Sequence, residues 1–230
     1  MTKMKKIALI AVCAMLLVCV TIGATVAYLT SKDSVKNTFT VGKVAITLDE
    51  AQVTEGGTPV PGTDTNPNPR GKENSYKLMP GHTYTKDPTI HVDPTSEACF
   101  IRAKVTLTNA DKWIAIATKY ADNKIENIIK GTDDDIWWVS QPAVDTTKNT
   151  VTYTFVYKNE SHTDELGKRI WTKADGTDLV LFNQIVMPKG LTNEELAGVA
   201  DSEITVVAEA IQADGFKTEA EAWKAFGEQK

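Results

Sequence analysis

The chain carries three imidazoles, His82, His91 and His162. A helical zinc site asks for two histidines at i and i+4, with an intervening glutamate when the metal is to activate water. No pair here has that spacing. His82 and His91 flank "TYTKDPTI" at an odd separation, which puts them on opposite faces of one regular strand. By residue type they are the zinc candidates. The densest acidic run is "TDDDIW", Asp133 to Asp135, and Asp133 and Asp135 are the residues a calcium ion would use. Calcium takes about six to eight oxygens, from ligands spaced along a loop. Three consecutive aspartates after Gly131 read instead as a solvated turn. Neither set completes a ligand shell, so no zinc or calcium cofactor is expected.

Nucleophilic chemistry is equally absent from the pattern. There is no G-x-S-x-G elbow, no Ser–Lys pair and no phosphate-cradling glycine loop, so no catalytic residue is assigned. Glu194 and Glu195 in "NEEL" fall at a helix start, where negative charge meets the helix dipole favourably. Cys99 stands in the apolar setting "EACFIRAKVTL" and reads as an inert core thiol. Trp137 and Trp138, with Tyr153 and Tyr157, suggest an aromatic platform for sugar. Adjacent tryptophans on a strand face opposite ways, so at most one joins such a platform, and core packing is the better reading.

The elements that must position these residues are mostly strands. "EACFIRAKVTLTN" alternates cleanly: Cys99, Ile101, Ala103, Val105 and Leu107 on one face, Arg102, Lys104, Thr106 and Thr108 on the other. "NTFTVGKVAITLDE" alternates with a phase shift at Gly42-Lys43, the mark of a bulge. Tyr84, Ile90 and Val92 read as strand residues after a turn at Pro80-Gly81. Further short β-rich runs are "DIWWVSQ", "TVTYTFVYKN", "GKRIWTK", "TDLVLFNQIVMP" and "SEITVVAEAIQADGF". "DKWIAIATKYADNKIENIIKG" changes to helical spacing, with Asp111 as cap and Gly131 as stop. "KTEAEAWKAFGEQ" predicts a terminal helix capped by Thr218, with Ala222, Trp223 and Phe226 inward. Residues 51–75, rich in proline and glycine, predict a flexible insert. About eight strands with helices in the connections and at the C-terminus make an antiparallel β-sandwich.

The N-terminus carries an address. "MTKMKK" is a positive n-region, "IALIAVCAMLLVCVTI" an apolar h-region, and Thr25 and Ala27 occupy the small-residue positions before a cleavage between Ala27 and Tyr28. Residues 1–27 are thus expected to be a signal peptide and 28–230 one domain. An uncleaved anchor is the alternative, since Ile7 to Leu29 is uncharged and long enough to span a bilayer. Loss of Lys3, Lys5 and Lys6 would leave the remainder more negative than the whole-chain value of −5. An acidic surface without a basic patch excludes nucleic acid as a partner and limits membrane contact to the signal segment.

"GATVAYLTSKDSVKNTFTVGKVAITLDE" resembles the start of the TasA/camelysin family of secreted Gram-positive proteins, through Asn37, Phe39, Gly42, Val44 and Ile46. "LMPGHTYTKDPTIHV" is similar to a second segment of that family. The resemblance implies a jelly-roll fold, cleavage by a SipW-type signal peptidase, and head-to-tail homopolymerisation into extracellular biofilm fibres or a surface layer. In that reading the freed end is a donor strand, here Tyr28, Leu29, Val35, Phe39 and Val41, inserted into the next subunit. Camelysin-type members imply the alternative of a cell-surface metallopeptidase. A monomeric surface binding or accessory module is the third reading.

Overall fold

The structure is a computed structural model that describes residues 42–159, 166 and 169–228. Ala27, Tyr28, Leu29, Val35, Phe39 and Val41, together with Asn37 and His162, lie outside the described residues. The elements run β1 (Ile46–Ala51), β2 (Arg70–Gly71), β3 (Thr83–Thr85), β4 (Thr89–Val92), β5 (Cys99–Thr108), α1 (Ala110–Tyr120), β6 (Ile129–Lys130), β7 (Trp137–Val139), β8 (Ala143–Asp145) and β9 (Thr150–Tyr157). They continue with β10 (Ile170–Trp171), β11 (Asp178–Val180), β12 (Gln184–Val186), α2 (Asn193–Gly198), β13 (Ile204–Gln212) and α3 (Glu219–Glu228). The body is mainly β, every strand pairing between them is antiparallel, and helices occupy connections and the C-terminal end.

Three sheets form. One has the order β11-β4-β1-β2 and a small one the order β3-β12-β6. In the largest, β5 is central: β13 pairs along one edge, β9 and β10 share the other, and β7 and β8 lie outside β9. The alternation of β5 places Cys99, Ile101, Ala103, Val105 and Leu107 in the main core, as its sequence predicts. They meet Val151, Tyr153, Phe155 and Tyr157 of β9 and Trp113, Ile116 and Ala117 of α1. Ile90, Val92 and Leu179 enter from the four-stranded sheet and Tyr84 and Ile185 from the small one. Burial pushes the Cys99 thiol up to about 12, which keeps it protonated and unreactive at neutral pH.

A second, smaller core lies on the outer face of β5. Phe100, Ile211, Ala213 and Ala222 are buried there, with Trp223 and Phe226 of α3 packed against them. Thr218 caps that helix, its Oγ1 accepting from Glu221 N at 3.2 Å. The Arg102 guanidinium lies 3.9 Å from the Trp223 ring centroid, and its Nε donates to Glu209 Oε2 at 2.6 Å, pinning the helix to the sheet.

Three local expectations need correction. Asp111 does not cap α1; the cap position is Asn109 in the left-handed conformation, φ 55°, and Asp111 accepts from Asn149 Nδ2 at 2.7 Å. "TYTKDPTI" is not one strand: it breaks at Lys86-Asp87-Pro88 into β3 and β4, which join different sheets. Proline cannot donate to a ladder, and Asp87 is occupied as acceptor for Ala51 N at 2.7 Å and Arg70 Nη1 at 2.9 Å. Residues 51–75 form a mostly exposed loop, as expected, whose base is held where Arg70-Gly71 pairs with Glu50-Ala51 and Val53 bridges Pro59. Gly131 does not stop a helix: α1 ends at Tyr120, and Gly131 follows the strand β6, with a φ of +86° and no room for a Cβ beside the Asn183 amide.

Candidate functional site

The register of two strands creates the site. Across β5 and β13, Thr108 N donates to Glu203 O at 3.1 Å and Ala213 N to Ala98 O at 2.9 Å, one beyond each end of a regular ladder. Hydrogen-bonded pairs alternate in an antiparallel ladder, so odd-numbered residues of β13 turn their peptide groups to β5. The peptide groups of Ile204, Val206 and Ala208 therefore point away from it. In β1, Asp93 N donates to Ala45 O at 2.9 Å, which sets Thr47 and Asp49 toward β4 and turns the peptide groups of Ile46 and Leu48 outward. Among the described residues neither edge has a strand partner there. A groove of about 850 Å³ runs between them, lined by Ile46 to Glu50 and Ile204 to Val206.

The walls mix apolar with polar and charged side chains and are incompletely covered. Ile46, Leu48, Ile204, Val206 and Ala208 are all half-buried and packed against the main core. At one end Trp113 is buried, and its Nε1 is a donor without a partner. On the floor Lys86 Nζ donates to Glu50 Oε2 at 2.6 Å, with both side chains 8% exposed. Asn74 Nδ2 donates to Glu50 Oε1 at 3.0 Å, and Tyr76 closes over the pair with the Lys86 ammonium 5.8 Å from its ring centroid. Burial, followed by the nearby Glu50 charge, pushes the Tyr76 phenol well above its usual value, so it stays neutral.

The sequence candidates fall elsewhere. His82 precedes β3 and tilts against Tyr84, ring centroids 6.2 Å apart, while His91 sits in β4 of another sheet. The structure does not bring them together. Both ring nitrogens of His91 face carboxylates, Nδ1 to Asp178 Oδ1 at 2.7 Å and Nε2 to Asp49 Oδ1 at 2.8 Å. Arg70 continues the row, bonding Asp49 and Asp87 and donating to Thr89 Oγ1 at 2.8 Å. Asp133 forms an exposed turn in which its Oδ1 accepts from Asp135 N at 2.9 Å. Among the described residues no group of three or more His, Cys, Asp or Glu side chains is placed to hold a metal ion. Trp137 is buried and Trp138 half exposed, facing opposite ways, and Tyr153 and Tyr157 are buried with Trp137. No helix among the described residues is long and apolar enough to cross a membrane.

The His91 row acts as a pH-dependent staple across β11, β4 and β1. Burial alone would lower His91, but the Asp178 and Asp49 hydrogen bonds outweigh it and hold the ring above its usual value. A raised histidine contributes stability fully below its unfolded value of about 6.5 and loses it as pH rises through the folded one. Asp49 is also part-buried, but Arg70 and His91 hold its carboxyl below the ordinary range. Its contribution is present above about 3.9 and is lost as pH falls through the folded value. Thermal unfolding is thus expected to peak in mildly acidic buffer, and His91→Gln to flatten the decline on the alkaline side. An unchanged pH profile in that variant would remove His91 from the account.

Sequence reasoning missed Glu50, Asn74, Lys86 and Arg70. One signal was present: alternation puts Glu50 on the same inward face as Ile46 and Leu48, a carboxylate where a core residue belongs. No family model, curated protein or solved structure matches the chain.

Proposed function

We propose that this protein is a secreted, jelly-roll-like subunit of an extracellular matrix fibre or surface layer, polymerising head to tail by donor-strand exchange. The groove between the outward edges of β1 and β13 carries the reading. A strand laid along the open edge of β13 would hydrogen-bond to Ile204 and Val206. It would cover the half-exposed side chains of Ile204, Val206, Ile46 and Leu48. The donor is the N-terminal segment of the next copy, Tyr28 to Val41, with Leu29, Val35, Phe39 and Val41 as its apolar residues. A contact of this kind is heterologous and does not close, so it generates filaments. Cleavage after Ala27 by a SipW-type signal peptidase would free the donor only after export, and the signal segment is the sole membrane contact.

The test is expression of the full chain with such a peptidase, followed by N-terminal sequencing and sedimentation of the secreted product. A start at Tyr28, filaments from the whole mature chain and monomers after deletion of residues 28–36 are expected. Filaments that persist without residues 28–36, or a correctly cut chain that remains monomeric at high concentration, would remove the reading.

A further inference from the structure

The floor of the groove holds three side chains arranged for a reaction with one another. Glu50 and Lys86 are buried, and the nitrogens of Lys86 and Asn74 sit on the two oxygens of the single Glu50 carboxylate, at 2.6 Å and 3.0 Å. The Asn74 amide is fixed in orientation. Its Nδ2 also donates to Ala51 O at 2.8 Å, and its Oδ1 accepts from Val53 N at 3.0 Å. An ion pair explains the lysine and the glutamate; it does not require a carboxamide whose carbonyl is polarised by a peptide N–H and whose nitrogen faces the same acid. We propose that Lys86 and Asn74 join in an intramolecular isopeptide bond, formed by the folded chain itself with Glu50 as proton carrier.

Each group has a defined task. Lys86 passes one ammonium proton to Glu50, which cancels both buried charges and frees the Nζ lone pair. That pair attacks Asn74 Cγ, and the oxygen that becomes negative is Oδ1, already held by the Val53 N–H. As the tetrahedral centre collapses, the Cγ–Nδ2 bond breaks. The two protons shed by Nζ, one carried by Glu50, leave on the former amide nitrogen as ammonium. The product is an Nζ–Cγ amide, Glu50 is again a carboxylate, and no oxidant, metal or co-reactant enters. The carboxylate holds both partners side by side, which supplies the proximity an amine needs to react with an unactivated amide.

The bond would tie the segment after β2 to the one before β4 and fix the groove floor beneath Leu48. It forms within one chain and stands whether or not subunits exchange strands. Intact-mass measurement on the folded full chain is expected to fall short of the sequence mass by one ammonia. Tryptic digestion should give one branched peptide joining Asn74 to Lys86, uncut after Lys86. A folded chain of full mass with Lys86 cleavable overturns the proposal, independently of any filament assay. Glu50→Gln, with folding checked by circular dichroism, is expected to slow the mass loss by about 10²–10⁴-fold. An unslowed loss at the same residues overturns the role of Glu50. Should that variant fail to fold, Glu50→Asp keeps the carboxylate but withdraws it from both nitrogens. Slower bond formation is then expected, and an unchanged rate counts against the carrier role.

Discussion

Trp137→Ala is expected to lower unfolding free energy by about 3–5 kcal/mol, while Trp138→Ala, one residue along, should move it by less than about 1 kcal/mol. Trp137 is 1% exposed in β7, with Phe155 and Tyr157 each presented at 6.2 Å in edge-on geometry. Its Nε1 donates to Val180 O at 2.7 Å, so one side chain ties the largest sheet to β11 of the four-stranded one. Alanine would leave a cavity between two sheets that cannot collapse without shifting both, and would delete that hydrogen bond as well. Trp138 points outward, 50% exposed, with the Arg169 guanidinium 5.9 Å from its ring. Urea unfolding decides it: a lower midpoint at constant slope for Trp137→Ala, and overlapping curves for wild type and Trp138→Ala. Equal losses in the two variants would contradict the assigned faces.

That contrast was legible in the sequence, because strand periodicity alone separates adjacent residues. So were the two faces of β5, the burial of Cys99 and the docking of α3 through Ala222, Trp223 and Phe226. What escaped has a common physical cause. Arg70, Asn74 and Lys86 lie in or beside irregular backbone, where no period assigns a face, and their partners are Asp49, Asp87 and Glu50, distant in sequence. The break at Lys86-Asp87-Pro88 likewise follows from a long-range demand, the peptide N–H of Ala51 claiming the Asp87 carboxylate. The cap of α1 escaped for the opposite reason. Asparagine tolerates the left-handed region, and the turn out of β5 uses that tolerance at Asn109 instead of the charge at Asp111. His82 and His91 were separable by parity on one strand, and the structure separates them further by placing them in two sheets.

The groove itself was invisible because it belongs to register, not to composition, and register makes the second large prediction. Val206 and Val207 are neighbours with the same side chain, yet only Val207 turns its N–H to β5. Val207→Pro removes a ladder hydrogen bond inside the longest pairing of the fold and forces the ring against β5. A loss of about 3 kcal/mol or more is expected, with poor recovery of folded protein. Val206→Pro places the ring on the open edge, where proline is tolerated, so only a little half-buried packing is lost, about 1–2 kcal/mol. A donor strand must approach that edge to about 4.8 Å, and the ring occupies this space while withdrawing one of the donors the strand would use. The expected result is a folded Val206→Pro monomer, seen by sedimentation, whose unfolding midpoint falls far less than that of Val207→Pro, while the proposed filaments do not form. Filaments of normal length from Val206→Pro would mean that the β13 edge receives no strand. Because folding and assembly are read separately here, the two valines distinguish an edge that holds the fold together from one on which the proposed donor strand would dock.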